Sequence, residues 1–193
     1  NRMLDSKHCT NCTLKGNTQI TGSGNTAADI ILISEFPKDA DIRAKQIFST
    51  GSKQGKFVDE SLSRVGLTRE DIYITSVVKC RPSNDLRDSD IKCCQKLLDE
   101  ELKGLNPSAV IPLGGMPYKY LTGKDAGVFM NTNIPTQHSK GFTVIPCASP
   151  SYYIQQEGSK TDKLARSLEI AMNYSDIGEY EAPESYDYRL LNS

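Results

Sequence analysis

Residues 72–82 read IYITSVVKCRP, and this stretch decides the fold. Ile72, Ile74, Val77 and Val78 are β-branched and apolar, the composition of a strand buried on both faces. The run stops at Lys79-Cys80-Arg81-Pro82, which puts a thiol at the carboxyl end of the strand. Open α/β sheets bind their ligands at that end. Ser76, a few positions earlier, is the candidate polar residue to face a ligand there.

Working outward, the apolar and polar patterns alternate between strand and helix. Residues 29–34 (DIILIS) form a first strand, with Glu35-Phe36-Pro37-Lys38 as the turn at its carboxyl end. A weak helical turn covers 39–45, and a loop over 47–55 carries Phe48. Phe57, Val58, Leu62 and Val65 recur at helical spacing over 54–65, and Gly66 stops that helix. Residues 89–105 are the strongest helix, with Asp88 as its cap and an apolar stripe through Ile91, Cys94, Leu97, Leu98 and Leu102. Strands at 109–113 and 142–146 follow, separated by a short helix over 116–121 and an irregular polar stretch over 124–140. A loop over 147–153 (CASPSYY) leads to a last helix over 161–174. This β-α-β-α-β-α-β-α order predicts an α/β fold with a mainly parallel sheet and helices on both faces. Residues 1–174 read as one domain, and the acidic, tyrosine-rich residues 175–193 as a tail or linker to a further domain.

The bulk numbers narrow the function. The formal net charge over 193 residues is −1, so any nucleic-acid contact rests on a local basic surface and not on a global field. No apolar run approaches about 18 residues, so no membrane span is expected, and no secretory leader is recognisable. A cytoplasmic setting follows.

The chain has six cysteines. Their spacing suits a metal better than disulfides: one tight Cys9-x-x-Cys12, then Cys80, then the adjacent Cys93 and Cys94. Cys94 is the better fourth ligand. It lies on the inward stripe of its helix, whereas Cys93 points roughly 100° away. The bland alternative makes Cys94 a small core residue. Four thiolates hold either a structural zinc or a four-iron four-sulfur cluster, and ligand softness does not choose between them. Cys147 reads as a lone packed thiol.

Cys-x-x-Cys near the start, a strand followed by Glu-x-Pro, the Tyr73–Pro82 run, a helical cysteine, Val110-Ile111-x-Leu113-Gly114 and Ser149-Pro150-Ser151 occur in that order. Over roughly residues 8 to 172 the chain resembles the iron–sulfur uracil-DNA glycosylases, family four. The resemblance implies a three-layer α/β/α sandwich with a central four-stranded parallel sheet, and a 4Fe-4S cluster on Cys9, Cys12, Cys80 and Cys94. It makes Glu35 and Ser149 the catalytic positions and Ser34, Phe48 and Ser76 the base pocket. It also makes DNA the partner, with Tyr152, Tyr153 and Ile154 in the loop that wedges into the duplex. Ser151 lies at the start of that loop.

The chain departs from the family at the chemistry. Ser34 and Lys38 replace two glycines, Ser76 replaces the asparagine that reads the uracil edge, and Ser149 replaces a histidine that stabilises charge developing on the base. Serine is too short to meet both a donor and an acceptor on a base edge. Loss of one preplaced donor costs about 10²–10³ in rate. Weak or absent uracil excision is therefore expected on a retained DNA-binding surface; an active glycosylase and a pure docking module are the alternatives. Lys53 and Lys56, with the amides of Gly51, Ser52 and Gly55, are candidate phosphate contacts, against the alternative of a solvated helix face. The tyrosines have ordinary packing as their alternative. Glycosylase-like domains also occur at the amino terminus of some bacteriophage family-A DNA polymerases. That resemblance implies a following exonuclease or polymerase domain, and host cytoplasm as the location.

Overall fold

The computed structural model describes residues 6–83, 85–156 and 162–177. Its centre is β2 (Ile30–Ser34), flanked in parallel by β3 (Tyr73–Ser76) and β4 (Ala109–Pro112). A fourth parallel strand, β6 (Thr143–Val144), pairs with β4. Two short edge strands, β1 (Ser23–Gly24) and β5 (Thr136–Gln137), close the sheet in antiparallel pairing with β3 and β6. The order is β1-β3-β2-β4-β6-β5. The four-stranded parallel centre is as expected; the two edge strands are additions.

Alternate residues of the central strands face opposite layers, as the two-residue period of a strand requires. Ile30, Leu32, Ile74 and Ile111 pack against α2 (Lys53–Arg64), α5 (Pro150–Gln155) and α6 (Lys163–Ile177) through Val58, Leu62, Tyr153, Leu164 and Leu168. Ile31, Ile33, Val110 and Val144 pack against α3 (Asp88–Lys103) and α4 (Gly115–Thr122) through Cys94, Leu98 and Leu121. Each fully buried Val, Leu or Ile contributes roughly 1.5–3 kcal/mol of hydrophobic stabilisation. The result is the three-layer α/β/α sandwich. A short α1 (Asp39–Ala44) follows the turn after β2.

Four boundaries shift for local reasons. The β3 ladder ends at Ser76, because the Ser76 hydroxyl donates to Val78 O at 2.7 Å and turns the chain. Val77 and Val78 stay buried and donate their N–H groups to Ser34 O and Glu35 O. Asp88 is the first residue of α3 and not its cap; the Asp90 carboxylate accepts the Arg87 N–H instead. The 147–153 loop is half helix, because Pro150 occupies the first position of α5, where its fixed φ suits a helix and its missing N–H costs nothing. The last helix starts at Lys163 and runs to Ile177, with Asp162 accepting the Ala165 N–H at its start. Thr161 and the tail beyond Ile177 lie outside the described residues.

No helix among the described residues is long and apolar enough to cross a membrane.

Candidate active site and metal centre

Cys9, Cys12, Cys80 and Cys94, from three segments, lie close enough for the charge on Cys80 to be coupled to the other three. Cys9 ends a 3-10 turn (Ser6–Cys9), Cys80 follows β3, and Cys94 sits on the inner face of α3. Cys9, Cys80 and Cys94 are buried and Cys12 is half-buried. All six cysteines are free thiols. Burial pushes the Cys80 thiol up to about 12, with repulsion from Cys94, Cys9 and Cys12 adding to it. Burial pushes Cys12 up to about 11, and Asp90 and Cys94 add to that. Burial also raises Cys94, against a hydrogen bond from the Lys79 backbone N–H. Sulfurs that repel one another in a buried site are held apart from their ionised form until a cation joins them.

Their surroundings suit bound thiolates. The Leu14 N–H donates to Cys12 Sγ at 3.4 Å and the Gln19 amide to Cys9 Sγ at 3.3 Å. Hydrogen bonds of this kind to ligand sulfurs tune such centres. In its chemistry, though not in its placement, the donor set suits a thiolate-held metal group. No three His, Cys, Asp or Glu side chains among the described residues are placed to share one metal ion. Asp90 fastens the cysteine loop to α3 by accepting the Thr13 N–H at 2.8 Å and the Thr13 hydroxyl at 2.6 Å. Burial opposes ionisation of Asp90, but these bonds outweigh it and hold the carboxyl below its ordinary value.

The candidate base pocket sits at the carboxyl ends of β2 and β3. Ser34 and Ser76 are register partners, 4% and 0% exposed. The Ser34 hydroxyl is buried with no partner among the described residues, and the Ser76 hydroxyl is turned onto Val78 O. Phe48 packs in the same layer, 4% exposed, with a left-handed φ of 53°. Its loop is clamped from two sides. Asp41 accepts the Ser49 and Lys38 N–H groups at 2.9 Å each, and Arg69 donates to Ile47 O and Phe48 O while pairing with Asp59. Gly55 is needed beneath it, since a Cβ there would stand 1.8 Å from Ser49 O.

Glu35 lies over the turn into α4. Burial raises its carboxyl above the ordinary value, against a hydrogen bond from the Met116 N–H and the nearby Lys38 charge. Gly114, at φ 108°, leaves room for it; a Cβ there would stand 2.6 Å from Glu35 Oε1. Lys38 holds its ammonium 4.2 Å above the Phe36 ring, and burial lowers its pKa. Ser149 is the half-buried residue before α5, its hydroxyl 2.9 Å from that of Ser151.

Comparison with known proteins identifies the architecture. The model of the uracil DNA glycosylase superfamily matches residues 21–170. The chain belongs to the uracil DNA glycosylase superfamily. It is 28% identical over 163 residues to the type-4 uracil-DNA glycosylase of Thermotoga maritima, covering 82% of this chain and 84% of that protein. It is 33% identical over 105 residues to the type-4 uracil-DNA glycosylase of Archaeoglobus fulgidus, covering 53% of this chain and 51% of the relative, so that match spans about half of each. It is also 38% identical over 104 residues to a DNA polymerase of Bacillus phage SP01, covering 52% of this chain and 11% of the polymerase.

On this uracil DNA glycosylase scaffold the expected DNA-facing residues separate. Lys53 and Lys56 are exposed at the start of α2, and Tyr152 is 39% exposed. Ser151 and Ile154 are half-buried. Tyr153 is buried: its ring stacks on Phe57 at 5.8 Å and its hydroxyl lies 3.3 Å from the Ala148 N–H and 3.5 Å from Cys147 Sγ. Its place is the core under α5 and not the surface.

Sequence reasoning missed the buried support. Lys79 is fully buried and donates to Glu101 Oε1 at 2.6 Å, Ser76 O at 2.6 Å and Thr75 Oγ1 at 2.7 Å. Glu101 also accepts from the Tyr73 and Thr75 hydroxyls and from the Gly22 N–H. Burial pulls Lys79 below its ordinary value while the Glu101 charge opposes that; Glu101 itself is held ionised against burial by Lys79 and these donors. A lysine inside an apolar strand was the available signal, since such a cation needs a partner.

Proposed function

We propose that this domain binds DNA through a uracil-DNA-glycosylase fold and excises uracil weakly or not at all. The observation that supports this best is Ser76. Its hydroxyl proton is committed to Val78 O at 2.7 Å in a fully buried position, so it has none to offer a base edge. Ser149 adds a short hydroxyl bonded to Ser151 in place of a longer donor. A base anion leaving this pocket therefore lacks two preplaced donors, each worth about 10²–10³ in rate. Phe48 supplies an apolar wall for a base, Glu35 a carboxylate near the reacting face, and Lys53 and Lys56 contacts to phosphate.

Cys9, Cys12, Cys80 and Cys94 would hold a 4Fe-4S cluster, with structural zinc as the alternative. The mutual charge coupling of the four thiols, and the N–H donors on three of them, support a thiolate-held centre. When bound, it supplies structural attachment of the cysteine loop to α3 and β3. The partial match to a phage polymerase supports a further reading, in which residues 1–174 are one module, the tail joins it to a following exonuclease or polymerase domain, and the location is the cytoplasm, the host's if phage-encoded.

A second reading, an active glycosylase on another deaminated base, has its own support in Ser34. Its hydroxyl is buried without a partner among the described residues, and a ligand group in the pocket would satisfy it.

The test is incubation with a uracil-containing oligonucleotide followed by alkali, beside a binding titration at low and high salt. The expected result is salt-sensitive binding without strand cleavage above background. Cleavage at a rate typical of enzymes, about 1 per second or faster, overturns the reading.

A further inference from the structure

We propose that Phe129, Met130 and Tyr152 form a stacking platform for unpaired nucleobases, so that the domain takes single-stranded DNA by a surface separate from the candidate base pocket. This rests on the reading of the domain as DNA-binding.

Phe129, Met130 and Tyr152 are 50%, 74% and 39% exposed, and they are the large exposed hydrophobic side chains among the described residues. The Phe129 ring meets Tyr152 edge-on at 4.8 Å. Exposed aromatics clustered in this way mark an interaction surface, since isolated ones carry no such meaning.

The platform is built and not frayed. Phe129 and Met130 project from a turn whose neighbours are fixed in the core. Val128, Thr132 and Asn133 are buried. The Asn131 amide donates to Gly127 O at 2.8 Å and to the Tyr118 hydroxyl at 3.2 Å, and the Thr132 hydroxyl donates to Val128 O at 2.7 Å. The Asn133 N–H donates to Pro146 O, and Ser167 donates to the Asn133 side chain. A turn held by this many bonds presents its two apolar tips at low entropic cost.

The platform also continues towards the candidate phosphate contacts. Tyr152 meets Tyr153 at 5.6 Å, and Tyr153 stacks on Phe57 at 5.8 Å. Phe57 lies one residue beyond Lys56 on α2. The ring contacts thus run from the exposed Phe129 through the buried Tyr153 to Phe57, the sequence neighbour of the exposed Lys56. Neither α2 nor α5 carries an acidic residue in its first turn, and residues 127–133 (GVFMNTN) and 149–155 (SPSYYIQ) hold no carboxylate. Aromatic faces beside cations match a strand whose bases offer π-faces and whose backbone is anionic. That complementarity selects single-stranded DNA over an apolar protein partner.

The test uses a single-stranded oligonucleotide carrying the fluorescent base 2-aminopurine, and a duplex of the same length, on wild type and on Phe129→Ala/Met130→Ala. Both side chains are exposed, so an unchanged melting temperature controls for folding. A Tyr152→Ser variant provides a second perturbation. The expected result is a fluorescence change on wild-type binding, and a loss of single-strand affinity by roughly tenfold or more in the variants with the salt dependence kept. Variants that bind the single strand with wild-type affinity and signal overturn the proposal while leaving DNA binding intact. A wild type that binds neither probe overturns the DNA-binding reading itself. A concentration-dependent dimer, lost in the double variant while single-strand binding is unchanged, assigns the patch to self-association and overturns the proposal.

Discussion

Ser34 and Ser76 stand side by side as register partners at the ends of β2 and β3, and their two hydroxyls are in opposite states. Ser76 donates to Val78 O; the Ser34 hydroxyl is buried with no partner among the described residues. If these two serines floor a base pocket, as proposed, one spent and one orphaned hydroxyl would read a base edge poorly.

Restoring longer donors should therefore raise activity. Ser76→Asn combined with Ser149→His is expected to increase uracil excision by at least about a hundredfold, and neither single change should match the pair. Single-turnover alkali cleavage measures it. A folded double variant that still cleaves at the wild-type rate would mean that other departures, Lys38 foremost, set the limit.

Glu35 sets a pH dependence. Its folded pKa is raised by burial above the ordinary 4.5, so the folded state binds its proton more tightly than the unfolded chain. That contribution is fully present below 4.5 and is lost as pH rises through the raised value. Wild type should therefore lose stability relative to Glu35→Gln as pH climbs from 4.5 towards neutrality. Urea melts of both proteins across that range decide it; parallel curves count against a buried Glu35.

Glu101→Gln should be strongly destabilising. It leaves the fully buried Lys79 without its carboxylate, a loss of about 3–5 kcal/mol by analogy with other broken buried pairs. Denaturant unfolding at neutral pH gives the number. A change under about 1 kcal/mol would show that Ser76 O and Thr75 suffice to hold the ammonium.

The thiols make a spectroscopic prediction. Anaerobically purified protein should be brown with absorbance near about 400 nm, and should contain iron and sulfide. Cys80→Ser or Cys94→Ser should remove the colour, whereas Cys93→Ser keeps it. A colourless preparation with stoichiometric zinc would replace the cluster by the single ion.

Gly55→Ala tests the Phe48 clamp. A Cβ at 1.8 Å from Ser49 O forces the loop to move. Folding should weaken by several kcal/mol, about the upper range for a core clash. Thermal melts, with Gly51→Ala as the unobstructed control, measure it.

Much of the fold was legible in the chain. The cysteine set is proposed from ligand spacing, and no three of those side chains are placed to share one metal ion among the described residues; Cys94, preferred to Cys93 by helical phase, is 3% exposed, as that phase predicts. Tyr152 and Tyr153 were indistinguishable by sequence, since a surface tyrosine and a core tyrosine share composition. Their sides are set by how α5 docks on α2, which placed Tyr153 on Phe57 and left Tyr152 in solvent. Phe129 and Met130 were invisible as a surface inside a stretch with no period.

By itself, the sequence determined the strands, the parallel sheet and the helices on its two faces, because periodicity is a local property of residue type. Only the tertiary structure decided which hydroxyls were spent, that Lys79 was paired with Glu101, and that Phe129 met Tyr152. Those are contacts between segments distant in sequence or set by a particular turn. Their existence depends on backbone approach within a few ångströms, which residue type alone does not specify.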